Sequence, residues 1–294
     1  MVALYDFTEG LTPTPLLISM PHCGTHIPES LAVEMTAEAL EVPDTDFHLP
    51  RLYDFAHELG ASVLAATHSR YVIDLNRSPD GIVLYPGASN TELCPLSRFD
   101  FKPIYRAGTG PGVAGIDARI AQYWHPYHQR IQSELARIRE RHGYALLFDA
   151  HSIISECPRF FEGCLTDFNL GTGGGSSCDP RLGDALLSVV EGRDADSGVA
   201  GAADGGVRGA AHGSGAPTSM DTSAYTSVLN GRFKGGYITR QYGNPSANIH
   251  AVQLELSERT YMNEKAPFDY DELLATKVRV VLRRLIGTMI EWKP

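Results

Sequence analysis

Two histidines stand where apolar runs end. His22 follows Leu16-Leu17-Ile18-Ser19-Met20, and His151 follows Ala145-Leu146-Leu147-Phe148 within Asp149-Ala150-His151-Ser152. Short apolar runs closed by turn residues read as interior strands of a parallel or mixed sheet, and such sheets take ligands in the crevice beyond the strand carboxyl ends. Two imidazoles at that edge point to a metal ion, because neutral imidazole is a good zinc ligand. A third apolar run, Ala251 to Leu256, carries Glu255 among strand-forming residues. An ionised carboxylate is costly there unless it has a partner or a task. A hydrolytic metal site is the simplest common explanation.

A catalytic zinc usually takes three protein donors and keeps one position for water. Asp46 is the expected third donor, with Asp44 and His48 of the same stretch as rivals; all three also suit the electrostatics of a helix start. His26 lies four residues after His22, but Gly24 and Pro28 disfavour a helix and no Glu follows His22, so the helical His-Glu-x-x-His pattern is absent. Asn76 and Arg77 close the segment Asp74-Leu75-Asn76-Arg77 and offer an amide and a planar guanidinium, a pair suited to gripping a carboxylate. The plainer alternative for Arg77 is an ion pair with Asp74.

The elements that must position these residues alternate between strand and helix patterns. Helices are expected over Glu29 to Glu41 and from Asp46 to Gly60, where Leu49, Leu52, Tyr53, Phe55, Ala56 and Leu59 form a stripe. Strands are expected at Ser62 to Ala66 and Tyr71 to Leu75, followed by a Gly/Pro-rich stretch from Ser78 to Gly115 that is too long for a simple connector and reads as a functional loop. Ile116 to Arg141 predicts a long helix kinked at Pro126. Beyond the His151 strand come a helix near Arg181 to Val190, the run Val228 to Thr239, the Glu255 strand and a closing helix from about Leu273 to Ile290. The fold class expected is α/β, a mixed sheet flanked by helices in one domain spanning 1–294. Asp194 to Ser223 is almost wholly Ala, Gly, Asp, Ser and Thr, with too little apolar bulk to offset its ordering entropy. It reads as a mobile surface insertion, which makes His212 a bystander.

Composition narrows the class further. No apolar stretch reaches the roughly 20 residues of a membrane span, and the opening residues lack the basic and apolar regions of a secretory signal. Cysteines number five, with no Cys-x-x-Cys pair, so a reducing cytoplasm is the expected location. A net charge of -10 argues against a nonspecific nucleic-acid binder. It does not exclude a small anionic substrate held by a few local arginines. The oligomeric state is left open.

Seven stretches, in order, carry a family resemblance: Pro21-His22-Cys23-Gly24, Pro43-Asp44-Thr45-Asp46, Ser69-Arg70-Tyr71-Val72-Ile73-Asp74-Leu75-Asn76-Arg77, Asp149-Ala150-His151-Ser152, Asp167-Phe168-Asn169-Leu170-Gly171-Thr172, Asn230 through Arg240, and Gln253-Leu254-Glu255-Leu256. Together they resemble the signature stretches of the N-formylglutamate amidohydrolase (deformylase) family, over nearly the whole chain except Asp194 to Ser223. The resemblance implies hydrolysis of N-formyl-L-glutamate to L-glutamate and formate in histidine degradation. That family is in turn similar to the zinc carboxypeptidases, which implies a three-layer architecture, an Asn-Arg carboxylate clamp matched by Asn76 and Arg77, and a catalytic glutamate matched by Glu255. The carboxypeptidase His-x-x-Glu pair is not matched, since Thr25 stands three after His22, and the acidic ligand must come from elsewhere, as Asp46 would provide.

The mechanism implied has one divalent ion, zinc, on His22, Asp46 and His151, with Glu255 taking a proton from water and passing it to the leaving amine. Arg70 or Arg240 then serves the second substrate carboxylate or the tetrahedral oxyanion. The rival readings are the same chemistry on another N-acyl amino acid, of the succinylglutamate or N-acetylaspartate type, and a noncatalytic binder of acidic metabolites. A cysteine hydrolase using Cys23 is disfavoured, because neighbouring strand residues point to opposite faces and Cys23 would face away from His22.

Overall fold

The computed structural model describes residues 2–83, 87, 89–193 and 225–294; the expected insertion at 194–223, with His212, lies outside them. Seven strands form one sheet: β1 (Tyr5–Thr8), β2 (Leu16–Met20), β3 (Ser62–Ala66), β4 (Ala145–Ile153), β5 (Phe168–Gly171), β6 (Ser227–Leu229) and β7 (Ile249–Ser257), in the order β1-β3-β2-β4-β7-β5-β6. The central four, β3, β2, β4 and β7, run parallel, while β1 joins β3 and β5 joins β7 antiparallel. Strands covered on both faces read as continuous apolar runs. That is why β2 and β4 are buried throughout.

Helices cover both faces. On one, α2 (Leu49–Leu52), α5 (Pro180–Val190) and α7 (Glu272–Glu291) pack Leu52, Leu186, Leu282 and Leu285 against Ile18, Phe148 and Leu254. On the other, α4 (His125–His142) and α6 (Tyr237–Tyr242) pack Tyr127, Ile131, Leu135 and Ile238 against Leu17, Leu147 and Ala251. The result is a helix–sheet–helix sandwich, an α/β fold of three layers.

Several local expectations are corrected. Tyr71 to Leu75 is not a strand: the Asp74 carboxylate accepts the Asn76 backbone N–H at 2.9 Å, a local turn that competes with sheet pairing. The helix expected over 29–41 shrinks to α1 (Glu29–Ala32) and a 3-10 turn at Ala39–Glu41. The one expected from Asp46 shrinks to α2, because His48 adopts left-handed backbone (φ 62°) and Pro50 follows it. Asp46 therefore sits in a loop, not on a helix. The long helix is α3 (Val113–Arg119), then a π-helical turn at Ile120–Trp124, then α4. Helical backbone runs unbroken from the π-turn into α4, so Pro126 lies inside a continuous helix and the irregularity its missing N–H calls for is taken up in the π-turn just before it.

Candidate active site

The parallel register sets the carboxyl ends of β2, β4 and β7 side by side. Ser19 pairs with Asp149 across β2 and β4, and His151 pairs with Glu255 across β4 and β7. Alternation along β4 puts Asp149 and His151 on the face that carries Leu147; along β7 it puts Gln253 and Glu255 on the face that carries Ala251. Further in, this face is apolar and covered by α4. At the strand ends it turns polar and is covered by α6.

His22 lies two residues beyond β2, and its backbone carbonyl accepts the Asp46 N–H at 3.2 Å, which brings the two side chains together. His151 Nδ1 is 3.1 Å from His22 Nδ1 and 3.2 Å from Asp46 Oδ2, and His22 Nδ1 is 3.8 Å from the same oxygen. All three residues are buried. Donors about 2.1 Å from a common ion at tetrahedral angles stand roughly 3.4 Å apart, so the triangle fits a divalent cation. The remaining ring nitrogens are held by carboxylates: His22 Nε2 by Asp74 Oδ1 at 2.7 Å and His151 Nε2 by Asp149 Oδ2 at 3.1 Å. Such partners turn the Nδ1 lone pairs inward and raise ligand basicity. The rival donors go elsewhere. Asp44 Oδ2 accepts the Phe99 N–H at 2.9 Å, and His48 Nε2 bonds the Phe268 carbonyl at 2.7 Å.

Charge shapes the cluster. Burial acts to raise the Asp74 carboxyl, but His22, Arg77 and Arg70 outweigh it and hold the group well below the usual carboxylate range. For His151 burial acts to lower basicity, yet Asp149 and Asp46 prevail and raise it well above normal. For His22 burial and Arg70 win over Asp74, and its basicity is lowered. Ligation needs both rings neutral, so affinity for an ion must fall as pH drops and His151 holds its proton. Burial pushes the Glu255 carboxyl up to about 8; Asp46 and Asp149 act in the same direction, while His151 and Arg70 oppose them.

Around this cluster lies a cavity of about 620 Å³ whose walls include His22, Arg70, Asn76, Arg77, His151, Arg240 and Glu255. Asp46 stands behind the wall, its Oδ2 also accepting the Ser152 N–H at 3.1 Å. Arg70 is drawn into the donor cluster, with Nη2 2.9 Å from His22 Nδ1 and ion pairs to Asp46 at 3.6 Å and Asp74 at 3.4 Å. Arg77 is held by the Thr91 carbonyl at 3.2 Å, the Thr91 hydroxyl at 2.9 Å and the Asn76 carbonyl at 3.1 Å. Its Asp74 contact is looser, at 3.9 Å. Asn76 does more than its sequence position suggested. Its Oδ1 accepts the Ile238 N–H at 2.8 Å, its Nδ2 stands 3.1 Å from His151 Nε2, and Gly236 leaves it room, since a Cβ there would come within 2.2 Å of Nδ2.

Sequence reasoning did not single out Asp149, Gln253 or Thr239. Gln253 Nε2 donates to Glu255 Oε2 at 3.1 Å while its Oε1 accepts the Gly236 N–H at 2.6 Å; Thr239 donates to Asp149 at 3.3 Å. The usable signal was spacing: Asp149 and Gln253 each lie two residues before a candidate on the same strand face. Cys23 is turned away, its Sγ directed to the Met20 and Ala66 carbonyls and its thiol pushed far up by burial. It lines a separate cavity with Tyr53 and His57.

A mixed α/β sheet thus carries, at its strand carboxyl ends, a buried His-Asp-His group that could hold a divalent ion, with a buried glutamate beside it. Residues 14–262 match the family model for N-formylglutamate amidohydrolase. The chain is 47% identical to the N-formylglutamate deformylase of Pseudomonas putida, covering 99% of this chain and 97% of that one. It is 48% identical to the N-formylglutamate deformylase of Pseudomonas aeruginosa, covering 99% and 98%. In three dimensions it is similar to the crystal structure of N-formylglutamate amidohydrolase from Ralstonia eutropha JMP134, with TM-score 0.74 and 23% identity over 97% of this chain and 98% of that one. The chain belongs to the N-formylglutamate amidohydrolase family.

Proposed function

We infer that the protein hydrolyses N-formyl-L-glutamate to L-glutamate and formate, a step of histidine degradation in the cytoplasm, within a single domain. The observation that carries this reading is the donor triangle of His22, Asp46 and His151 set against Glu255 in a cavity lined by arginines. A divalent ion held by that triangle, zinc in this reading, supplies Lewis acidity that makes water a nucleophile at neutral pH and polarises the formyl carbonyl.

The chain's own residues do the rest. Asp74 and Asp149 fix the two imidazoles. Glu255, oriented by Gln253, accepts a proton from the attacking water at its free carboxylate oxygen and returns it to the nitrogen as the C–N bond breaks. Arg70, beside His22, faces the negative charge that develops on the formyl oxygen. Arg77, fixed by Thr91, grips a carboxylate of the glutamyl group, with Asn76 anchoring its backbone against α6 and His151. Arg240 lines the same cavity and adds to its positive field.

The test is turnover on a panel of N-formyl-, N-acetyl- and N-succinyl-glutamate and N-acetylaspartate, with metal analysis of the same sample. N-formyl-L-glutamate is expected to give the highest kcat/KM with about one divalent ion per chain. A higher value for a bulkier acyl group refutes the deformylase reading; full activity in a metal-free sample refutes the metal mechanism.

A further inference from the structure

N-formylglutamate carries two carboxylates, and the arginines around the cavity are not equivalent. Arg70 is committed to Asp46, Asp74 and His22. Arg77 donates to the carbonyl of Asn76, whose side-chain amide stands 3.1 Å from His151 Nε2, so in the deformylase reading its fork serves the carboxylate nearer the donor triangle, the α-carboxylate. A cation for the side-chain carboxylate has to come from another wall.

Arg232 lines the cavity on the loop between β6 and α6. It is exposed and makes no hydrogen bond or ion pair with any of the described residues. The loop that presents it is fixed at both ends. Asn230 takes the Thr172 N–H at 2.9 Å and donates to the Thr172 hydroxyl at 2.8 Å, while the Lys234 carbonyl accepts the Gly173 N–H at 2.6 Å. Phe233 packs edge-on against Phe161, with ring centroids 6.0 Å apart. A guanidinium carried to the cavity by a braced loop, with no partner among the described residues, can turn its whole fork to an anion. The chain is acidic overall, at -10, yet the cavity collects Arg232 with Arg77, Lys234 and Arg240, a local field opposite to the global one.

We propose that Arg232 binds the side-chain carboxylate of the substrate and sets the preference for N-formylglutamate over N-formylglutamine. The proposal rests on the deformylase reading. Losing a charge-assisted contact to this carboxylate costs roughly 10- to 100-fold in affinity. Arg232→Gln should therefore lower kcat/KM for N-formyl-L-glutamate by about that factor, mainly through KM, and bring the glutamate-to-glutamine ratio towards one. Arg232→Lys should recover part of the preference, since charge returns without the fork. Calorimetric binding of glutamate against glutamine reads the same discrimination without turnover.

The outcomes separate cleanly. A wild-type enzyme that hydrolyses neither formyl compound defeats the deformylase reading itself. One that prefers N-formylglutamate, with Arg232→Gln keeping that preference, overturns the assignment of Arg232 alone. A preference lost in Arg240→Gln but kept in Arg232→Gln moves the role to Arg240.

Discussion

Replacing Glu255 by Gln separates proton transfer from everything else the site does. The side chain is 7% exposed and its Oε2 accepts from Gln253. A glutamine carbonyl can occupy that acceptor position, so the packing and the link from Gln253 to Gly236 survive the change. Only the basic oxygen is lost. Positioned general bases contribute about 10²- to 10⁴-fold, so Glu255→Gln should lower kcat by about 10²-fold or more, on the order of 3 kcal/mol in the barrier, with bound metal unchanged. The pH profile tests the same point independently. Burial raises the Glu255 carboxyl to about 8, and a base acts only when deprotonated, so activity must rise with pH through that group's pKa. A dication nearby favours the carboxylate, which places the acid limb of the metal-loaded enzyme below 8. Formate release measured from about pH 5 to pH 9, with metal in excess so that the ion stays bound at the acid end, should show this limb in the wild type and not in the variant. A metal-replete Glu255→Gln enzyme with near-normal kcat would refute the role of Glu255.

Three further outcomes follow from the same geometry. Asp46→Asn should lose most bound ion and activity, whereas Asp44→Asn should keep its ion, because Asp44 serves the Phe99 N–H; metal analysis showing loss in Asp44→Asn alone transfers the ligand role. Arg77→Lys keeps charge but loses the fork and the Thr91 contacts, so KM for N-formyl-L-glutamate should rise by roughly tenfold or more, and steady-state constants equal to wild type within error exclude the clamp. His128, stacked on Trp124, is lowered by burial to about 3, against its bond to the Leu75 carbonyl. The unfolded chain therefore takes up a proton that the native one refuses, and stability is full above about pH 6.5 and falls as pH drops towards 3, by up to about 5 kcal/mol from this group. His128→Gln should flatten that slope in urea unfolding at several pH values, and an unchanged slope rules the assignment out.

What was legible in the sequence was what burial on two faces dictates. β2, β4 and β7 announce themselves as apolar runs, and the helices expected near Arg181 to Val190 and Leu273 to Ile290 are present as α5 and α7, where the structure adds acid caps, Asp179 accepting from the Arg181 N–H and Asp271 from Leu273 and Leu274. What failed was decided by single side chains acting on their own backbone. Asp74 folds Tyr71 to Arg77 into turns, and His48 with Pro50 cuts α2 to four residues. β1 was missed because a short edge strand half-exposed along its length carries little apolar signal. At the site, pattern supplied one residue per strand end and preferred Asp46 to its rivals Asp44 and His48; of these three, Asp46 is the one whose backbone N–H bonds the His22 carbonyl.

The turns that defeated secondary-structure reasoning are the ones that build the site. Asp74 bends the chain after β3 and, with the same carboxylate, holds His22 at 2.7 Å; as part of a regular strand, Tyr71 to Asn76 could not bring Asp74, Asn76 and Arg77 to one place, because alternation would send neighbours to opposite faces. Asp149 pairs with His151 through Oδ2, while its Oδ1 is buried with no hydrogen-bond partner among the described residues, an unsatisfied group of the kind that costs about 1–3 kcal/mol. Asp46, Asp74, Asp149 and Glu255 thus crowd around two imidazoles, Arg70 and Arg77, a dense buried cluster of ionisable groups. Burying so many ionisable groups lowers the stability of the chain unless they are well paired, and the divalent ion proposed for His22, Asp46 and His151 would add a partner for the acids. The local irregularity, the buried acids and the donor triangle thus coincide at the strand carboxyl ends, and a place where the rules of regular structure are broken together is where a functional site is expected.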